Sequence, residues 1–205
     1  MNPTDSQLNA MHTTESGMLH MFVGPMYSGK TSKLHELYKQ FMFCGVPTQV
    51  INYIEDTRYT DSPELATHDM AMIPCTMASA MSEIALSSGP DSTQVYLINE
   101  GQFFADIVQW TKTAVSRPYN KKVYICGLDG DFERNVFGDW LSLIAYSDSV
   151  TKLRSICCDC RKSDAIFSYR LTDQKEQKVI GSSSYIPLCR HCYEERISTK
   201  KQSAP

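Results

Sequence analysis

A glycine, four residues, then Gly-Lys-Thr is the pattern that most narrows what this chain can fold into. It runs Gly24-Pro25-Met26-Tyr27-Ser28-Gly29-Lys30-Thr31. An apolar run, Met18 to Val23, leads in as a candidate strand, and Leu34, Leu37, Tyr38, Phe41 and Met42 lead out at helical spacing. Strand, glycine-permitted turn and helix N-terminus make a nest of backbone N–H groups for phosphate oxygens. In this pattern the lysine, Lys30, reaches the terminal phosphates and the hydroxyl of Thr31 binds Mg²⁺. The flanks are those the pattern requires, so a nucleotide site is predicted.

The remaining elements say what that loop is built into. The helix is expected to stop at Cys44-Gly-Val-Pro47, where glycine closes it and proline prevents continuation. Strands are predicted over Gln49–Ile54, Gln94–Ile98 and Lys122–Cys126, with a short one within Met70–Cys75. Helices are predicted over Met77–Leu86 and Phe103–Val115, and a turn over Ser87–Asp91. Strand and helix alternate, which predicts an α/β fold with a parallel sheet flanked by helices. Ligands of such sheets bind at the carboxyl ends of the strands. The phosphate loop, Asn99 to Gln102 and Gly127 to Arg134 each follow a strand and are expected to converge on one rim.

Near Val150 the pattern changes to paired cysteines and short strand-like runs, Ala165–Leu171 and Gln177–Ile180, in a smaller β-rich unit. Cys157 with Cys160, and Cys189 with Cys192, are two C-x-x-C knuckles with 28 residues between them. Four thiolates close tetrahedrally around Zn²⁺ and leave no position for water, so the expected zinc is structural. It would pin both ends of a segment too poor in apolar residues to fold alone. Two disulfides or free thiols are the competing readings, and Cys158 and His191 are substitute ligands. Cys44, Cys75 and Cys126 lie in or beside apolar segments and are expected to be buried, inert thiols.

Composition excludes some functions. A net charge of −3 argues against a general nucleic-acid-binding surface, so no nucleic-acid partner is expected. No apolar run approaches the roughly 20 residues of a membrane span. Met1–Gly17 lacks the basic, apolar pattern of a secretion signal and reads as a mobile leader, which points to a cytoplasmic chain. The expected organisation is leader 1–17, nucleotide-binding α/β domain 18–152, zinc-ribbon and substrate-lid domain 153–197 and tail 198–205.

Taken in order, the motifs resemble the thymidine kinases of the zinc-containing type found in animals, many bacteria and large DNA viruses. The phosphate loop, Asp56-Thr-Arg-Tyr59, Asn99-Glu-Gly-Gln-Phe-Phe104 and Leu128-Asp-Gly-Asp-Phe-Glu-Arg134 carry the likeness. Val136-Phe-Gly138, Ser149 to Leu153, both knuckles and Val179-Ile-Gly181 with Tyr185 extend it from about Leu19 to Tyr193. The resemblance implies a P-loop NTPase fold of the RecA-like type, with a zinc-bearing β-rich unit that carries a lid, or lasso, loop. It implies transfer of the γ-phosphate of ATP, with Mg²⁺, to the 5′-hydroxyl of thymidine. Glu100 would be the general base. Gly24 to Thr31, Asp56, Arg58, Asn99 and Gln102 would bind the nucleotide. Met26, Phe103, Leu128, Phe132 and Phe137 would form the nucleoside pocket. A lid of about Ser168 to Pro187, with Gln177, Lys178, Val179, Ile180, Gly181 and Tyr185, would read the base largely through main-chain groups. A homotetramer and feedback inhibition by dTTP are also implied.

The chain departs from that pattern at Asn99, where the family commonly has an aspartate serving the Mg²⁺ shell. The lid is one residue shorter after Gly181, which leaves nucleoside breadth open. Two other readings compete: a phosphate-loop ATPase whose zinc ribbon grips a partner, and a kinase of another nucleoside. The first needs a basic surface around the cysteines, but acidic residues are interleaved with Lys152, Arg154, Arg161, Lys162 and Arg170.

Overall fold

The computed structural model describes residues 16–56, 64–66, 72–89, 92–179 and 184–202. Among them, β1 (Met18–Val23), β2 (Thr48–Tyr53), the hairpin β3 (Glu64–Ala66) and β4 (Met72–Pro74), and β5 (Thr76–Ala78) precede the central β6 (Val95–Ile98). β7 (Lys122–Gly127) and β8 (Ser149–Lys152) follow it. Six of these form one sheet in the order β5-β2-β6-β7-β1-β8. Every neighbouring pair in it is parallel.

The side chains alternate along the strands as a sheet buried on both faces requires. Leu19, Met21, Tyr96, Ile98, Val123 and Ile125 point to one core. Phe22, Val50, Leu97, Tyr124 and Cys126 point to the other. Helix α1 (Lys30–Phe43) covers the second face with Leu34, Leu37 and Phe41, joined by Leu65 and Ile73 of the β3–β4 hairpin. Helix α2 (Ile107–Val115) covers the first with Ile107, Trp110 and Ala114, joined by Trp140 and Leu143 of a 3₁₀ stretch, Trp140–Tyr146. The predicted parallel α/β sheet is the observed one.

Three local expectations are corrected. Residues Met77–Leu86 are not a helix, because Thr76–Ala78 joins the sheet edge as β5 and only Met81–Glu83 makes a 3₁₀ turn. Tertiary contacts override the helical spacing there. The Asp106 carboxylate accepts the Met81 and Ser82 N–H groups at 2.9 and 2.8 Å, and Glu83 Oε1 accepts those of Ser79 and Ala80, both at 3.1 Å. The helix expected from Phe103 begins at Ile107, after a 3₁₀ turn at Gly101–Phe103. Cys44 is exposed, since it caps α1 on the solvent side, while Cys126 is buried and Cys75 half-buried.

The second unit contains hairpin β9 (Ser155–Ile156) with β10 (Asp164–Ala165), hairpin β11 (Phe167–Arg170) with β12 (Tyr185–Leu188), and α3 (Arg190–Gln202). Its small core is Ala165, Tyr169, Leu188 and Tyr193 packed around three buried cysteines. Residues 177–179 are not a strand. They run beside β11 and β12, tied by hydrogen bonds from Arg170 and Tyr185 rather than by ladder pairing.

Candidate active site

The loops after β1, β2, β6 and β7 meet at the carboxyl edge of the sheet around a cleft. On the β1 side it is lined by Met26, Tyr27, Ser28, Gly29, Lys30 and Thr31. Gly29 caps α1 at φ 81°, a left-handed conformation that suits glycine. Lys30 is buried and its Nζ donates to the Pro25 carbonyl at 2.6 Å. Among the described residues the buried hydroxyl of Ser28 has no hydrogen-bond partner, as suits a group facing a polar ligand.

Asp56 and Glu100 line the same cleft. Glu100 is 7% exposed and its backbone lies at φ 56°, sparsely populated for a glutamate. Such outliers cluster at functional sites. The next residue has to be glycine, because a Cβ on Gly101 would come within 2.5 Å of Ile125 Cγ2. Gln102 joins two rims: its Nε2 donates to Glu100 Oε2 at 2.6 Å, and its Oε1 accepts the Leu128 N–H at 2.9 Å. Gln102 thus stands behind Glu100 and does not line the cleft. Asn99 is buried behind the rim too, with Nδ2 donating to Asn52 Oδ1 at 3.0 Å.

The wall away from the phosphate loop is aromatic. Phe103, Leu128, Phe132, Phe137, Gln177, Val179 and Tyr185 line it. Phe103 packs edge-on to Phe137, with centroids 5.5 Å apart, and lies 5.1 Å from Tyr53. Ser168 is on β11, and its Oγ accepts the Met26 N–H at 2.9 Å, so the second unit grips the phosphate loop directly. Lys178 turns away from the cleft to Glu55, at 2.7 Å, and to Tyr53 Oη, at 3.0 Å. Partial burial pulls the Lys178 pKa down, but its hydrogen bonds to Glu55 and Tyr53 outweigh that and leave it raised. The hydrogen bond from Lys178, followed by that from Tyr53, holds the Glu55 carboxyl below its ordinary value.

Of the residues expected at the site, Gly24 and Pro25 shape the loop without lining the cleft, while Arg58, Ile180 and Gly181 lie outside the described residues. Sequence reasoning missed Asp131, which lines the cleft. Its Oδ1 accepts the Glu133 and Asn135 N–H groups at 2.9 and 2.8 Å, and its Oδ2 accepts Gln177 Nε2 at 2.8 Å. An aspartate four residues past a buried strand, in a glycine-rich stretch, was the available signal.

The Sγ atoms of Cys157, Cys160, Cys189 and Cys192 lie within 4.8 Å of one another, and those of Cys160 and Cys189 are 3.9 Å apart. Four Zn–S bonds of about 2.3 Å in a tetrahedron require sulfurs about 3.8 Å apart, so the set fits zinc and is far too open for disulfides. The backbone N–H groups of Lys162 and Ser163 pull the Cys160 thiol down, whereas burial, followed by hydrogen bonding with the other thiols, pushes Cys192 up. Cys158 is exposed outside the cluster, and His191 pairs with Glu195 at 3.3 Å.

With this geometry in hand, comparison with known proteins is decisive. The thymidine kinase family model matches residues 17–193. The chain belongs to the thymidine kinase family. It is 37% identical over 181 residues to the thymidine kinase of fowlpox virus (strain NVSL), covering 87% of this chain and 97% of the viral protein. It is 35% identical over 186 residues to the human cytosolic thymidine kinase, covering 89% of this chain and 75% of the human one. Thymidine kinase 1 of Dictyostelium discoideum is 35% identical over 200 residues, covering 94% and 85%. Among the described residues no helix is long and apolar enough to cross a membrane.

Proposed function

We propose that this protein is a thymidine kinase that transfers the γ-phosphate of ATP to the thymidine 5′-hydroxyl, giving dTMP and ADP in the salvage of DNA precursors. The observation that carries the reading is one cleft shared by a phosphate loop, a buried glutamate and an aromatic wall. Phosphoryl transfer asks mainly for positioning and charge neutralisation. Backbone N–H groups of Tyr27 to Thr31 and the Lys30 ammonium hold the donor phosphates, on the turn begun by Gly24 and Pro25. Thr31, which lines the cleft, would hold Mg²⁺, and the ion when bound would neutralise charge on the transferred group. Glu100 accepts the 5′-hydroxyl proton as that oxygen bonds to the γ-phosphorus and the bond to the ADP oxygen breaks. Gln102 orients the Glu100 carboxylate, Phe103, Phe132 and Phe137 hold the nucleoside, and Ser168 fixes the loop at Met26. Asp56 and Arg58 complete the nucleotide site, and Ile180 and Gly181 complete the lid.

Zn²⁺ on Cys157, Cys160, Cys189 and Cys192 is structural in this reading, a role supported by the sulfur spacing. A cytoplasmic homotetramer subject to dTTP inhibition follows from the family resemblance. The test is ATP and Mg²⁺ offered with a panel of nucleosides, the products identified by chromatography. Thymidine 5′-monophosphate is expected as the main product, with deoxyuridine the next best acceptor. ATP hydrolysis that ignores every nucleoside would favour the partner-gripping ATPase instead.

A further inference from the structure

The acceptor wall is held by a residue that touches no cleft space. Arg170 ends β11, is 3% exposed, and lies flat against Phe132, its guanidinium carbon 3.6 Å from the ring centroid. A guanidinium has five N–H groups, and here each has an acceptor. Nε donates to Tyr185 Oη at 3.1 Å and Nη2 donates to the same oxygen at 2.6 Å. Nη2 also donates to the Gln177 carbonyl at 3.0 Å. Nη1 donates to the carbonyls of Gln174, at 2.9 Å, and Glu176, at 2.6 Å. Tyr185 Oη, with its lone pairs engaged, donates its own proton to the Val179 carbonyl at 3.1 Å.

None of these partners is a carboxylate. The buried cation is balanced by carbonyl dipoles and a ring face, which are there only while residues 174–179 follow this path. A buried charge without partners is costly, so the guanidinium and the segment require one another. The dependence matters because residues 172–177 are exposed and form no helix or strand. Their other ties run through side chains, Asp173 to Lys200 and Gln177 to Asp131, whereas Arg170 holds the main-chain carbonyls themselves. Gln177 and Val179, at the end of this segment, line the cleft with Phe132 and Tyr185. Arg170 therefore bonds or stacks with three lining residues and reaches the fourth through Tyr185.

We propose that Arg170 is a positioning residue that sets affinity for the nucleoside and discrimination among nucleosides, by fixing the main chain of residues 174–179 against the pocket. This rests on the acceptor being a nucleoside, as proposed above. Lysine cannot replace it, since an ammonium keeps the charge but offers three donors and no planar fork.

The experiment compares the zinc-loaded full chain with Arg170→Lys. Expected are a thymidine KM raised at least about tenfold, a kcat within about threefold and an unchanged KM for ATP, as for lost acceptor binding. The preference for thymidine over deoxycytidine, taken as the ratio of kcat/KM, should narrow by a similar factor. Amide hydrogen exchange of residues 172–179 should accelerate while that of β1 and β7 stays as it was. Tyr185→Phe removes the shared oxygen and should move exchange in the same direction, which keeps the test open if the lysine variant fails to fold. An unchanged thymidine KM with unchanged exchange would overturn the proposal. So would a fall in kcat with both KM values constant and zinc lost, the mark of a residue needed only for folding. If the wild type phosphorylates no nucleoside, the kinase reading fails, while the exchange measurement still judges the hold of Arg170 on the segment.

Discussion

Glu100 shows how few atoms decide this site. Its left-handed backbone aims a carboxylate into the cleft, and Gln102 holds that carboxylate while bonded to the main chain of the neighbouring rim. Replacing Gln102 by leucine should lower kcat by about tenfold to a hundredfold with a smaller change in either KM, because a misaimed base loses rate before binding. Steady-state kinetics with both substrates varied will check it. Asn99 carries the second prediction at this scale. It brings no negative charge to the rim of the cleft, and its amide is bonded to that of Asn52. Asn99→Asp adds a carboxylate, and the Asn52 amide can turn over to donate to it. The Mg²⁺ concentration giving half-maximal rate should fall, and an unchanged value would remove Asn99 from the metal's surroundings. Which residues belong to the cleft was largely legible, since motif spacing is local. That Gln102 orients Glu100 rather than lining the cleft was not, because its partner Leu128 is 26 positions away.

At the scale of elements, two histidines, His20 half-buried and His35 buried, join pieces of the sheet to their neighbours. His20 on β1 bridges to Ser149 at 2.6 Å and Thr151 at 3.0 Å on β8, and His35 on α1 meets the Leu65 carbonyl of β3 at 2.8 Å. Burial, then the charge of Lys33, lowers the pKa of His20. Burial lowers that of His35 as well, aided by Lys39 and opposed by the bond to Leu65. The unfolded chain therefore binds more protons below its ordinary value of 6.5, and stability must rise with pH in that window. The midpoint of urea unfolding should be level above about pH 6.5 and fall from there towards about pH 5, with His20→Gln flattening the slope. A midpoint constant over that range would contradict the burial argument. Compact apolar runs such as Val95–Ile98 were legible as strands because both their faces are buried. β8 has no such signal: Val150 is exposed, and the strand exists because Ser149–Lys152 pairs with β1. The helix expected at Met77–Leu86 failed for the reciprocal reason. Its apolar spacing was helical, yet Asp106 from another element supplied the acceptors that set its path.

For the whole molecule, the four-cysteine unit is wired into two walls of the cleft. Tyr193, next to Cys192 of the four-cysteine cluster, donates its hydroxyl to the Phe132 carbonyl, and Arg134 lies over the Tyr193 ring at 4.7 Å. Ser168 of the same unit holds the phosphate loop. Metal analysis should find about one zinc per chain, as four thiolates in a closed tetrahedral site require. Chelation should raise the thymidine KM or abolish turnover while the parallel sheet keeps its far-ultraviolet dichroism. Full activity in a chain stripped of metal would contradict a structural role. The central claim is that the phosphate loop and Glu100 act together on one acceptor oxygen. Transfer of label from γ-³²P-ATP to thymidine, followed in wild type and Glu100→Gln, tests it most directly. The prediction is labelled thymidine 5′-monophosphate from the wild type, and a kcat about 10² to 10⁴ lower in the variant with both substrates still bound. Label released to water regardless of thymidine, or a variant that keeps the full rate, would contradict it.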